Sequence, residues 1–220
     1  MLRIVALVIF SNLFLLTYGQ KKQTDLSDFF TMSEIEDLNL IADFFQSELC
    51  GSMERSKFGN CINSSLSDLA DWSQYYLQDN ISWRKQKRLY KQISDSTFSK
   101  IWSLCKTWRL QEPKYEYETI CFSQKQNFSE FLLALGKSNP YLKSYAIRLV
   151  NIGDFESGNF LVWDIVRNPK NWDLEDRNVQ IALAVHFLTQ NDRQKRDKKA
   201  LRLEKRDLRK MNKNARGINN

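Results

Sequence analysis

The chain predicts an all-α, disulfide-stapled helical domain that ends in a long basic C-terminal helix. Three observations carry this prediction. Apolar residues recur at three- and four-residue intervals through most of the sequence, with almost no sustained alternation. Four cysteines, Cys50, Cys61, Cys105 and Cys121, follow a leader-like start. Residues 191–220 hold twelve Lys or Arg against four Asp or Glu, while the rest of the chain is almost balanced.

Residues 1–19 read as a secretory signal peptide. Arg3 supplies the positive start, Val5 to Leu16 is a short apolar core, and Thr17-Tyr18-Gly19 places small residues near the cut. That apolar run is too short for a bilayer span, and no later stretch is long enough either. The expected organisation is a leader over 1–19, a helical domain over 20–190 and a basic helical extension over 191–220. An even cysteine count in a secreted chain reads as two disulfides. Proximity favours Cys50–Cys61 and Cys105–Cys121, with cross-pairing of the two halves as the alternative.

The elements follow in order. Residues 21–30 read as a loose arm. Thr31 and Glu34 fit a capping box, and Ile35, Leu38, Ile41, Phe45 and Leu49 form one stripe that Gly51 ends. A second helix runs from Asn63 to Leu77, and a shorter basic one from Ser82 to Ile93. The spacing of Phe98, Ile101, Trp102, Cys105 and Trp108 predicts a helix over 95–110. Beyond Pro113, Tyr115, Tyr117 and Thr119 alternate with glutamates, a strand pattern with no obvious partner. It reads as an extended connector that brings Cys121 back toward Cys105. Helices follow from Asn127 to Gly136, from Asn139-Pro140 to Gly153, and from Asp154 to Val166. Asp173 is the expected cap of the last helix. Its segment from Val179 to Leu188 is apolar on nearly every side and reads as the buried centre.

No catalytic, cofactor or metal motif emerges. The sole histidine, His186, sits inside an apolar helix without a companion nucleophile or acid pair. The cysteines lack the paired spacing of a zinc site. The glycines form no phosphate loop. The expectation is a protein that is not an enzyme. Three sequons place candidate N-glycosylation at Asn63, Asn80 and Asn127, with Asn80 in a turn between helices. Six tryptophans, mostly at helical spacing, read as core; an aromatic pocket for a small hydrophobic or amine ligand is the alternative.

The basic end has three readings: a solvated helix, a polyanion-binding footprint, or a processing site at Arg193-Gln194-Lys195-Arg196 and Lys205-Arg206. The polyanion footprint comprises Lys195, Arg196, Lys198, Lys199, Arg202, Lys205, Arg206, Arg209 and Lys210. The segment 191–213 is expected to project from the body, mostly exposed. No aromatics interleave with these basic residues in sequence, which argues against base stacking and a nucleic-acid partner.

The leader, the aromatic-rich helices, the four cysteines before residue 122 and the Lys/Arg-rich end together resemble secreted helical salivary proteins of blood-feeding insects. The likeness is one of overall pattern, without a diagnostic motif. The odorant-binding-like salivary proteins usually carry more cysteines. The resemblance implies a non-enzymatic effector acting on host cells or ligands, or on a partner in the insect itself. A stapled secreted scaffold with no catalytic set reads, beside it, as one that binds an extracellular protein partner.

Overall fold

The computed structural model describes residues 24–109, 115–156 and 158–217. The signal-peptide reading over 1–19, Pro113 and the last three residues lie outside the described residues. The chain is a predominantly helical domain with two disulfides and a long C-terminal helix. Its helices are α1 (Met32–Cys50), α2 (Phe58–Asn80), α3 (Trp83–Gln92), α4 (Asp95–Ile101), α5 (Asn127–Leu135), α6 (Pro140–Ile152), α7 (Gly158–Arg167) and α8 (Arg177–Gly217). Strands β1 (Trp102–Trp108) and β2 (Glu116–Phe122) form an antiparallel pair between α4 and α5.

Local chemistry sets the helix ends. Thr31 and Glu34 form both halves of the capping box at α1. Gly51, at φ 63°, closes α1 in the left-handed conformation that a Cβ would strain. Glu34 also reaches beyond its own helix: its side chain is 4% exposed and lies 2.6 Å from the Lys100 ammonium on α4. Burial pushes that carboxyl up, but Lys100, the Ser96 hydroxyl and the Thr31 N–H outweigh it and bring it down to about 2. Ser82, Ser94 and Asn139 cap α3, α4 and α6 with their side-chain oxygens. Asp176, rather than Asp173, caps α8: its carboxylate accepts from Asn178 N–H at 2.8 Å, while Asp173 shapes the preceding turn.

The disulfides join Cys50 to Cys61 and Cys105 to Cys121, closing separations of 11 and 16 residues. Loops of this size stabilise by about 3 kcal/mol each in the chain-entropy account.

The predicted helix over 95–110 stops at Ile101. Residues 102–108 leave as a strand, with Trp102 opposite Phe122 and Trp108 opposite Glu116. The segment 115–119 therefore has a partner strand and is no lone connector. The apolar spacing around Trp102 and Cys105 satisfies both periods over so short a stretch. Pairing with β2 settles the choice, because the backbone groups of residues 102–108 that face β2 find partners across the ladder. Cys105 faces Thr119 and Cys121 faces Ser103, so the second disulfide is a diagonal bridge across this pair. The helix expected from Asp154 begins at Gly158, because Asp154 turns back to accept from Phe122 N–H.

Helix α8 is the axis of the fold. Asn178 to Asp192 are all buried, against α1, α2, α3 and β2. Phe187 stacks on Phe45, Tyr90 meets Phe98 and Trp102 edge to face, and Phe98 lies tilted against Trp102. The tryptophans divide. Trp102 and Trp172 are core, whereas Trp108 and Trp163 remain 55% and 39% exposed, so the expected core role does not extend to them. Among the described residues, no helix is long and apolar enough to cross a membrane.

Candidate binding surface on the C-terminal helix

Helix α8 passes residue 191 without a break and stays packed beyond it. The expected boundary at 190/191 is a change of partner, not of structure. Asn191 and Asp192 have no exposure, because polar partners wait for them. Asn191 donates to Gln86 Oε1 at 2.7 Å. Asp192 accepts from the Trp83 indole at 3.3 Å and from Arg196. Burial pushes the Asp192 carboxyl up, and the Arg196 charge and its hydrogen bond oppose that.

The next turns are tied to the hairpin. Arg193 donates to the Ile120 carbonyl at 2.9 Å and pairs with Asp154. Arg109, at the end of β1, stands between two carboxylates of α8. Its Nη1 is 2.5 Å from Asp197 and its Nε 2.8 Å from Glu204. The Glu204 contact is ionic and off the hydrogen-bond line, since Nε has no acceptor in bonding geometry. The Tyr117 hydroxyl donates to the same Asp197 oxygen at 3.3 Å. Burial, then the Asp197 carboxylate, pushes the Tyr117 phenol up. The segment 191–204 is therefore docked rather than projecting, and Ala200 and Glu204 are buried in it.

This docking sorts the charges. The packed side carries Arg193, Asp197, Ala200 and Glu204, at helical spacing. Lys195, Lys198, Arg202, Lys205 and Arg209 follow steps of three and four along the opposite side, flanked by Lys199, Arg206 and Lys210. Lys198, Lys199, Arg202, Lys205, Arg206, Arg209 and Lys210 are exposed. Lys195 is half-buried and donates to the Gln78 carbonyl at 2.8 Å. Its ammonium is held below the ordinary lysine value by burial and by Lys198, with Asp79 opposing and Arg202 adding. Arg196 leaves the group: it turns aside to Asp192 and lies 3.6 Å from Glu118. Of the tail acids, Asp192, Asp197 and Glu204 are taken up on the packed side, and Asp207 pairs with Arg206 on the flank at 3.3 Å.

The result is a nearly single-sign stripe about 22 Å long from Lys195 to Lys210, at 1.5 Å per residue. Like charges three and four apart each cost a few tenths of a kcal/mol in a bare helix. An anionic partner removes that cost. Sequence composition announced the net charge; it did not show that the acids would be withdrawn from the outer face. The run Arg193–Arg196 lies in mid-helix with both arginines engaged, so an extended, protease-ready conformation requires breaking those pairs.

His186 is fully buried, with Nδ1 3.0 Å from the Tyr145 hydroxyl. Burial, reinforced by the Arg193 charge, pulls the imidazole down to about 3. It is neutral at physiological pH, locked between packed rings. Among the described residues, no group of three His, Cys, Asp or Glu is placed to hold a metal ion.

No family model, curated protein or solved structure matches this chain.

Proposed function

We propose that this chain is a secreted, non-enzymatic binding protein that captures an acidic extracellular ligand on the outer face of α8. The observation that carries the reading is the segregation of charge: tail acids are drawn to the packed side or flank, and seven exposed Lys or Arg stand along the outer one, with half-buried Lys195 at its start. A bare solvated end has no need of such sorting. Docking against β2 also holds the stripe in fixed geometry, so less conformational entropy is lost on binding. The salivary-type effector reading accords with this proposal, with the acidic ligand in the place of the expected partner. Among the described residues, the recesses lined by Leu142 and Val179, by Gln78 and Tyr117, and by Trp83 and Leu203 are each partly open to solvent, which gives the small-ligand carrier no comparable support.

The test is retention on immobilised heparin. A Lys205→Gln/Arg206→Gln/Arg209→Gln variant is expected to elute at clearly lower salt than the wild type. Removing Arg84, Lys87 and Arg88 in the same way, on exposed positions of α3, should shift elution far less. Equal shifts would mean net charge alone is read, and the proposal would fail. Truncation after Asn191 is a poor test, because it strips the hairpin of Arg193, Asp197 and Glu204.

Secretion also sets a glycosylation pattern. Asn63 and Asn80 are exposed, the latter at the end of α2. Asn127 is half-buried and its amide donates to the Phe29 carbonyl at 3.1 Å. In protein expressed through a secretory pathway, Asn80→Gln is expected to remove one glycan mass and Asn127→Gln none. A glycan found on Asn127 by peptide mapping would contradict this.

A further inference from the structure

We propose that Lys205-Arg206 is a proteolytic processing site, where a serine endoprotease selective for Lys-Arg pairs sheds the outer end of α8. The encounter with such a protease, and the effect on ligand capture, rest on the function proposed above. The Lys-Arg dipeptide occurs three times, as Lys87-Arg88, Lys195-Arg196 and Lys205-Arg206. The first lies in α3 and the other two in α8. Sequence favours the second, where Arg193 adds a further cation upstream. Packing reverses that order.

A protease takes its substrate extended, so a site inside a helix is cut only after the helix opens locally. The cost of opening separates the three pairs. Lys87 and Arg88 are exposed, but Gln86 and Leu89 on either side of them are buried. Gln86 donates to the Leu188 carbonyl at 2.7 Å, so unwinding α3 there opens the core. At the second pair, Arg196 is held by Asp192, Arg193 by Asp154 and Lys195 by the Gln78 carbonyl. Opening that turn breaks all three contacts. At the third pair both side chains are exposed, and Arg206 pairs with the adjacent Asp207 at 3.3 Å. An exposed pair of this kind contributes little. The tie that opening does break is Arg109–Glu204, one residue upstream. From Lys205 the helix runs on to Gly217. That length is comparable with the roughly 12–15 residues below which an isolated helix is marginal in water. Fraying from the chain end therefore reaches Lys205-Arg206 before it reaches Lys195-Arg196.

In the cut, water adds its hydroxyl to the Arg206 carbonyl carbon and the Arg206–Asp207 C–N bond breaks. The Asp207 nitrogen takes the remaining hydrogen and leaves as an amine. The fragment 207–220 carries Arg209, Lys210, Lys213 and Arg216 against Asp207. Its loss shortens the basic stripe at the outer end, while Glu204 and its Arg109 partner stay on the body. Processing thereby lowers the hold on an acidic ligand and acts as a release step.

The experiment incubates the full-length protein with a Lys-Arg-selective subtilisin-like endoprotease and reads new C-termini by mass spectrometry over time. A reduced, alkylated and unfolded sample serves as control and is expected to be cut after all three pairs. The native protein is expected to be cut first after Arg206, about a hundredfold faster than after Arg196. Each additional charged contact broken on opening lowers the open population about tenfold. Arg206→Gln should abolish that first cut and leave the others unchanged. A native protein cut first after Arg88 or Arg196, or left whole at Arg206, overturns the site, as does an unfolded chain that resists at Arg206. The cut protein is then expected to elute from heparin at lower salt than the intact chain. Unchanged elution after a cut at Arg206 overturns the release step while the site stands. A native protein left whole at Arg206, whose Lys205→Gln/Arg206→Gln/Arg209→Gln variant still loses heparin retention, overturns this proposal alone.

Discussion

Arg109→Met is expected to destabilise the protein by about 3 kcal/mol, because it leaves a buried carboxylate without its counter-charge. Glu204 is 8% exposed on its side chain, and Arg109 is 14% exposed between it and Asp197. Asp197, 47% exposed, can return to water; Glu204 cannot without undocking the helix. The second half of the expectation is a rescue. Arg109→Met/Glu204→Met should recover most of the loss, since replacing both members of a buried pair with apolar groups is often neutral. Urea unfolding gives the energies, and amide exchange shows whether residues 197–210 loosen first. A single variant as stable as the wild type would mean that the Arg109 contacts do not hold α8 to the hairpin. In that case the stripe would lose its fixed geometry as well.

The pH dependence of stability should carry the signature of His186. In the unfolded chain the imidazole takes a proton near pH 6.5; in the native protein burial holds it down to about 3. Across that window the unfolded state binds more protons, so stability rises with pH and is lost as pH falls. The loss attributable to His186 between pH 7 and pH 4.5 is about 2.5 kcal/mol. Two other groups overlap at the acid end. Glu34, brought down to about 2, contributes stability that is lost as pH falls below 4.5. Asp192, raised by burial, acts oppositely, since the native state takes up its proton above 3.8. The informative quantity is therefore the difference between the wild type and His186→Gln. Denaturant unfolding from pH 7 to pH 4.5 should bring the two curves closer by that amount. Curves that remain parallel would show that His186 is not held neutral by its surroundings.

If the stripe binds as proposed, stability and function are linked through one residue. Arg109 withdraws Asp197 and Glu204 from the tail's solvent face. The Arg109→Met variant should then bind heparin less tightly as well as unfold more easily, because the freed acids can approach the outer lysines.

Residues close together in sequence were enough to determine the helices with strong caps and the buried core of α8, and they favoured the two disulfide pairings while leaving cross-pairing open. Thr31 and Glu34 act within one turn, Asn139 precedes Pro140, and the cysteines pair with their nearest neighbours. These are local interactions, and local interactions are written in local spacing. Three features depended on the tertiary structure. Residues 102–108 became a strand because β2 lay ready to satisfy their backbone, a partner fourteen or more residues away for most of the ladder. Asn191 and Asp192 were buried despite their polarity because Gln86, Trp83 and Arg196 converge on them, which no apolar period records. The outward stripe became nearly single-signed because Arg109 draws Asp197 and Glu204 to the side packed against the hairpin. Composition counts charges without regard to direction; only the packing of α8 against the hairpin assigns each charge a side.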